Sequence, residues 1–148
     1  MKDSFPKALS FVLSWEGGYS NDPDDAGGET YKGIARKKNP QWPGWEFVDK
    51  EDFTTADKEI ESFYKGNYWN MCACDDLPYP LDMVVFDTAV NMGVGRALSF
   101  KETDWKDYLI RKISFYADIS KKGNNIKFLR GWINRSIALW KTIRKEVI

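Results

Sequence analysis

The apolar residues of the first segment occupy the positions that one face of a helix presents, which predicts an amphipathic helix. These residues are Phe5, Ala8, Leu9, Val12 and Leu13. Gly17 and Gly18 follow directly, and glycine readily adopts the left-handed conformation that ends a helix. We therefore expect the helix to end at Glu16.

The same periodicity predicts a mainly α fold for the rest of the chain. Further helices are predicted to begin at Thr54, Leu81, Trp105 and Ile126, with short helical turns over residues 33–38 and 96–100. Residues 81–92 are apolar around most of the helix circumference, which predicts a central helix. Strands find support only as a small β-ribbon within residues 19–34. At 148 residues, the chain is expected to form a single domain.

The loop after the first helix carries the candidate chemistry, because carboxylates are concentrated there. Glu16 is expected at the negative end of the helix dipole, with Trp15 and Tyr19 as apolar neighbours. Both influences disfavour the ionised form, so we expect a carboxyl that keeps its proton near neutral pH. A glycosidase needs such a group as its general acid.

Asp25 is the candidate for a second carboxylate in a different setting. Residues 21–28 form a polar loop with glycine and proline, in which a carboxylate is expected to stay ionised. One carboxyl shielded from water and one exposed to it are the usual arrangement for hydrolysing a glycosidic bond. Asp22 and Asp24 remain open as alternatives, although Asp22 before a proline is typical of a turn and Asp24 of a solvated loop charge.

Residues 16–34, which read EGGYSNDPDDAGGETYKGI, resemble the signature of glycoside hydrolase family 108. This family comprises bacterial and phage N-acetylmuramidases, including endolysins and so-called secretion activator proteins. The likeness continues in YKGNYW (residues 64–69), VVFDTAVNMG (84–93) and KFLRGWINR (127–135). It implies a lysozyme-like domain over residues 1–148, with a catalytic part at 1–95 and a shortened C-terminal helical part at 96–148.

The resemblance also implies an activity and a catalytic residue. The expected reaction is cleavage of the β-1,4 bond between N-acetylmuramic acid and N-acetylglucosamine in peptidoglycan, and the glutamate of the EGGY motif, here Glu16, is the catalytic acid. The order Glu, Asp, Thr resembles the phage-type lysozymes, which assigns Asp25 and Thr30 the second and third roles. The gap between Asp25 and Thr30 is one residue shorter than in that pattern.

Aromatic and amide side chains are the candidates for sugar binding. The chain has 7 tryptophans, 7 tyrosines and 9 phenylalanines, and most of these rings are expected to fill the core. We take Tyr19 and Trp69 as candidates for contact with the glycan. Asp87 and Asn91 share one face of the predicted central helix. They either satisfy buried polar groups, which is the slightly favoured interpretation, or bind hydroxyl and N-acetyl groups of the sugar.

Composition excludes several other kinds of chemistry. The chain has no histidine, which removes Ser-His and Cys-His nucleophiles and histidine-based zinc sites. Cys72 and Cys74 are too close for an unstrained disulfide and are expected to be free thiols. A calcium loop starting at Asp22 would lack ligands at Ala26 and Gly33, so we expect neither metal nor cofactor. With 22 basic and 22 acidic residues, no nucleic-acid partner is expected.

Two rival functions and a location complete the expectations. A lytic transglycosylase cleaves the same bond with one glutamate, and a non-catalytic wall-binding or secretion accessory protein would tolerate loss of Glu16. The sequence shows no pattern typical of a signal peptide and no apolar stretch suited to stable membrane insertion. We expect a monomer made in the cytoplasm that acts at the cell wall or in the periplasm after holin-type or dedicated export.

Overall fold

A computed structural model describes residues 3–147, so residues 1, 2 and 148 of the predicted domain lie outside the described part. Its backbone contacts separate an N-terminal unit, residues 3–70, from a C-terminal unit, residues 71–147. The resemblance implied a catalytic part at 1–95 and a C-terminal part at 96–148, and that division stays a prediction. Both units are built mainly from helices, and the N-terminal unit adds a small antiparallel sheet, which confirms the predicted mainly α fold.

The N-terminal unit begins with helix α1, Phe5–Trp15, and Pro6 lies in its first turn, where a missing N–H costs nothing. The following elements are strands β1 (Tyr19–Ser20), β2 (Thr30–Tyr31) and β3 (Ile34–Ala35), helices α2 (Gly44–Asp49) and α3 (Phe53–Tyr64), and a π-helical segment, Lys65–Trp69. Helix α3 starts one residue before the predicted Thr54 because Asp52 caps it, accepting a 3.2 Å hydrogen bond from the Thr55 N–H.

The three strands form an antiparallel sheet in the order β1-β2-β3, which confirms the predicted ribbon. Tyr31 pairs with Tyr19 on one side and with Ile34 on the other. Lys32 and Gly33 connect β2 to β3, with φ values of 46° and 86°. Two positive φ angles are the requirement of a two-residue type I′ hairpin turn. The helical turn predicted over residues 33–38 is therefore wrong for residues 33–35, because this tight turn returns the chain as a strand. A single turn does follow, in which the N–H groups of Lys38 and Asn39 donate to the carbonyl of Ala35.

Aromatic rings fill much of the interior of the N-terminal unit. Trp42 stacks on Tyr31 at 6.1 Å between ring centroids and meets Trp45 edge-on at 5.2 Å. Both indole N–H groups donate to backbone carbonyls, Trp42 to Glu59 and Trp45 to Asn39. Because large rings with satisfied polar atoms bury much apolar area, this cluster gives a small unit a firm core behind the sheet.

The C-terminal unit contains helices α4 (Leu81–Met92), α5 (Val94–Ser99), α6 (Trp105–Ile119) and α7 (Ile126–Val147), preceded by a 3₁₀ turn at Cys74–Asp76. Helix α4 is buried over residues 81–89 and packs against α5 and α6, as its all-round apolar pattern predicted. Cys72 and Cys74 are free and buried. Between residues 3 and 147, no helix is long and apolar enough to cross a bilayer.

One carboxylate, Asp87, is completely buried on α4. Its Oδ2 accepts a hydrogen bond from the ammonium of Lys112 on α6, and its Oδ1 accepts one of 2.9 Å from Nε of Arg135 on α7. Burial alone would raise the pKa of Asp87, but the two cations hold it below its ordinary value. The cluster thus joins α4, α6 and α7 through a buried carboxylate that is paired with two cations.

Candidate active site

Glu16 stands where the chain leaves α1. Its backbone is extended, with φ −89° and ψ 145°, and its N–H still donates to the carbonyl of Leu13 at 3.3 Å. The side chain is half-buried. Glu16 is therefore the C-cap residue of α1, which agrees with the helix end predicted from Gly17 and Gly18.

The hairpin turn between β2 and β3 lies directly against this carboxyl. A methyl group added to Gly33 would lie 2.9 Å from Oε2 of Glu16 and 2.5 Å from the hydroxyl oxygen of Tyr64. The φ of +86° at Gly33 also disfavours any residue with a side chain. Gly33 is consequently the residue that lets the turn, the acid and the tyrosine hydroxyl approach one another.

Tyr64 holds the turn in place. Its hydroxyl donates a 2.8 Å hydrogen bond to the carbonyl of Lys32, across 32 residues of sequence. The ring is buried at the end of α3 and stacks on Tyr68 with 5.7 Å between centroids. Because a buried hydroxyl with a satisfied hydrogen bond has little freedom, Tyr64 gives the turn a rigid support next to Glu16.

Tyr68 provides a second phenol near the acid. It is half-buried on the π-helical segment, and burial together with the negative charge of Glu16 raises its pKa. The electrostatic effect of Glu16 places the two groups in the same neighbourhood. Single π-turns of this kind occur frequently at functional sites.

A network of hydrogen-bonded charged side chains joins the sheet to helix α2. Tyr19 donates a 2.7 Å hydrogen bond to one oxygen of Glu29, and Arg36 donates one of 2.7 Å to the other. Arg36 also forms two hydrogen bonds, of 2.7 and 2.8 Å, to Asp49. The hydrogen bonds from Arg36 and then Tyr19 hold the pKa of Glu29 below its ordinary value. Tyr19 still exposes 49% of its surface, so its ring is open to a ligand.

Asp25 lies in the loop between β1 and β2, and Thr30 lies on β2. Asp25 is exposed, its Oδ1 accepts a 2.8 Å hydrogen bond from the Gly27 N–H, and its carbonyl accepts one from Gly28. Thr30 is half-buried on β2, opposite Ser20. Asp25 therefore belongs to a wet turn, while the chemical roles of both residues stay predictions.

The two alternative loop acids are also exposed. Oδ1 of Asp22 accepts a 2.9 Å hydrogen bond from the Asp24 N–H, and its carbonyl accepts one from the Asp25 N–H. Asp22 therefore shapes the start of the turn, as expected for an aspartate before proline.

The sequence also matches a known protein family. The profile described as Glycosyl hydrolase 108 matches residues 9–93, which is more than half of the chain. The chain belongs to glycosyl hydrolase family 108. This confirms the resemblance read from the motifs, and the match includes Glu16, Gly33, Tyr64 and Tyr68.

A solved structure extends the likeness beyond the matched residues. The structure of Brucella abortus SagA is 26% identical to this glycosyl hydrolase 108 chain, with a TM-score of 0.72. The similarity covers 98% of this chain and 96% of that one. No curated protein matches the sequence.

Two candidate sugar-binding residues of this family 108 chain are corrected by their burial. Trp69 is only 1% exposed, and its ring meets Phe5 edge-on at 5.2 Å, so it has no surface to stack on a sugar. Asp87 is occupied by its two buried cations, in line with the structural interpretation. Asn91 is half-buried and accepts a hydrogen bond from the hydroxyl of Tyr116, and its role in sugar binding stays a prediction.

Three residues near Glu16 were not singled out from the sequence of this family 108 chain. Gly33 stands in YKG, and its glycine fits the second position of a two-residue hairpin turn, although Lys32 is not one of the residues favoured at the first. Tyr64 and Tyr68 stand four positions apart in YKGNY, which places both rings on one side of a helical segment. The spacing identifies the pair, but only the fold brings it to Glu16.

Proposed function

We propose that the protein is an N-acetylmuramidase that hydrolyses the β-1,4 bond between N-acetylmuramic acid and N-acetylglucosamine in peptidoglycan. Membership of a glycosyl hydrolase family supports the reaction class. The observation that carries the proposal is the setting of Glu16, a half-buried carboxyl held against the Gly33 turn beside two tyrosines. A positioned acid in a partly dry, rigid site is the main requirement for protonating a glycosidic oxygen.

In this mechanism Glu16 protonates the leaving-group oxygen. Tyr64 restrains the turn beside the carboxyl, and the ring of Tyr68 stacks on that of Tyr64. A positioned general acid contributes roughly 10²–10⁴-fold to the rate. The geometry of the turn therefore matters as much as the acid itself, because a displaced carboxyl cannot reach the oxygen.

Asp25 supplies the second function, and Thr30 orients the water. Asp25 is exposed, so a water molecule can reach it without any rearrangement of the turn. It either activates that water or stabilises positive charge on the sugar. A carboxyl separation of about 6.5–9.5 Å in the substrate complex corresponds to inversion and one of about 5–5.5 Å to retention.

The test is a digest of purified peptidoglycan with the wild type, Glu16→Gln and Asp25→Asn, followed by mass analysis of the fragments. We expect the wild type to release fragments with reducing-end N-acetylmuramic acid. Glu16→Gln should lower the rate by roughly 10²–10⁴-fold, because the amide cannot donate the proton. Asp25→Asn should also lower the rate, and NMR of the fresh product would identify inversion or retention.

Asp24→Asn removes the neighbouring exposed loop carboxylate and should leave the rate nearly unchanged if Asp25 is the second acid. A loss of rate in Asp24→Asn and not in Asp25→Asn would transfer the second role to Asp24. Circular dichroism of every variant reports whether it is folded. Anhydro ends would replace the proposal by a lytic transglycosylase. Intact glycan with retained binding of the wild type to the wall would replace it by a non-catalytic accessory protein.

A further inference from the structure

Helix α7 has a charge that the rest of the chain does not share. Over Ile126–Val147 it carries six cationic residues and one acidic residue, whereas the whole chain has 22 of each sign. The cations are Lys127, Arg130, Arg135, Lys141, Arg144 and Lys145. Arg135 points inward to Asp87, and the other five are exposed. The solvent side of α7 is therefore strongly positive.

The same side of α7 also exposes large apolar side chains. Ile126, Ile137, Trp140 and Val147 are between 36% and 62% exposed. Their spacings of 11, 3 and 7 residues are close to whole turns, so they line up along one face. Arg130 and Arg144 lie on the same face, four residues after Ile126 and Trp140. We call these six residues the α7 stripe.

Among the described residues, no carboxylate lies within salt-bridge distance of the five exposed cations of α7. The carboxylate of Glu146 accepts a 2.9 Å hydrogen bond from Tyr79. Arg144 instead lies over the ring of Trp140, with its guanidinium carbon 4.8 Å from the centroid. A cation over an indole keeps its outer N–H groups available to an anion.

Two open depressions flank Trp140 at the end of the stripe. One, of about 540 Å³, is lined by Trp140, Lys141, Arg144 and Lys145. The other, of about 390 Å³, adds Trp105, Lys106 and Val147. Each depression combines an indole with cationic groups, which suits a phosphate joined to an apolar chain.

We propose that the α7 stripe docks the protein on the surface of an anionic lipid bilayer. The helix lies along the surface: Ile137, Trp140 and Val147 enter the region between headgroups and acyl chains. Lys141 and Lys145, which flank the stripe, contact lipid phosphates together with the stripe residues Arg130 and Arg144. A basic helix with exposed tryptophan and aliphatic residues has the composition of an interfacial helix, and no helix needs to cross the membrane. This docking is independent of the proposed muramidase activity.

Two other occupants fit the stripe less well. A second copy of the chain would set two positively charged stripes face to face, which repel. A soluble polyanion would pair with the lysines but would leave Ile126, Ile137 and Val147 in water. A bilayer with phosphate headgroups satisfies both the charge and the apolar surface.

The experiment is co-sedimentation of the full chain with vesicles of phosphatidylcholine, with and without phosphatidylglycerol. We expect binding only to vesicles that contain phosphatidylglycerol, and weaker binding at higher salt. Lys141→Gln with Lys145→Gln should lower the partition coefficient on the order of 30-fold at low salt. Ile137→Ser and Trp140→Ala, made separately, should also lower it, and this loss should persist at high salt because it is apolar.

The matched control is Lys121→Gln with Lys122→Gln, which removes two exposed cations from the turn before α7 and should change binding little. Equal loss in both pairs would overturn the proposal, since only net charge would matter. Absence of binding to phosphatidylglycerol vesicles would overturn it directly. If polyphosphate competes fully with the vesicles and Ile137→Ser leaves polyphosphate binding unchanged, the ligand is a soluble polyanion instead. If sedimentation velocity shows a dimer and Ile137→Ser makes it monomeric, the stripe binds a second copy of the chain instead.

Discussion

Glu16 in the N-terminal unit and Asp87 in the C-terminal unit show two ways of placing a carboxylate away from bulk water. Asp87 is completely buried and is met by Lys112 and Arg135. Glu16 is half-buried and lies against a glycine turn and a tyrosine hydroxyl. The first carboxylate joins three helices, and the second lies half-buried beside a hairpin turn.

The difference separates structural from chemical use of the same functional group. Asp87 costs free energy to bury, and the two cations offset that cost only while all three groups are present. Glu16 keeps part of its side chain exposed to solvent, whereas Asp87 is enclosed with its two cations. Loss of Asp87 should therefore affect folding, and loss of Glu16 should affect catalysis.

The largest expected effect is on the stability of Asp87→Ala. Removing the carboxylate takes away the buried anion that Lys112 and Arg135 share, so the free energy of unfolding should fall by about 3–5 kcal/mol. Urea unfolding measures the change. Glu16→Gln is the comparison and should stay within about 0.5 kcal/mol of the wild type. A stable Asp87→Ala protein would contradict the structural role of the cluster.

Gly33→Ala should damage both stability and activity. The positive φ and the close approach of Glu16 and Tyr64 should cost about 1–3 kcal/mol of unfolding free energy. A displaced acid should lower the glycan cleavage rate by roughly 10²-fold. The control is Gly131→Ala on α7, where an added methyl meets nothing within 4 Å and should cause no loss. Full activity of Gly33→Ala would show that the turn does not position the acid.

Tyr64→Phe should have a smaller effect, since it removes one hydrogen bond and keeps the ring. Loss of the bond to the Lys32 carbonyl should cost about 0.5–1.5 kcal/mol of unfolding free energy. The rate constant for cleavage should fall more than the affinity for glycan, because the turn beside Glu16 loosens. Tyr68→Phe removes the other phenolic hydroxyl. If both variants lose equal stability, the bond to Lys32 has no special role.

The smallest effect concerns acid stability of the network around Arg36. Arg36 holds the pKa values of Glu29 and Asp49 below their ordinary values. A lowered carboxyl pKa stabilises the fold above the unfolded value, near pH 4, and this contribution is lost as pH falls through the folded value. Arg36→Gln should therefore lower the melting temperature slightly at neutral pH and reduce its fall between about pH 4 and 2. An unchanged pH profile would show that exposure to solvent cancels these ion pairs.

Local patterns predicted much of the fold. The periodicity of α1 and the two glycines after it placed Glu16 at a helix end, and the all-round apolar pattern of residues 81–92 predicted the buried helix α4. The segment at 33–38 was wrongly predicted in its first half, where a hairpin forms in place of a helical turn. Its hairpin depends on pairing between β2 and β3, which a helical periodicity cannot express.

The sequence by itself determined the elements that depend on near neighbours, together with the family and its candidate acid. Only the tertiary structure decided which distant side chains meet. Tyr64 reaches a turn 32 residues earlier, and Asp87 meets partners 25 and 48 residues later. Periodicity records which face of a helix is buried, but a buried face has many candidate partners. The choice among them follows from packing and from the satisfaction of buried polar groups, which exist only in the folded chain.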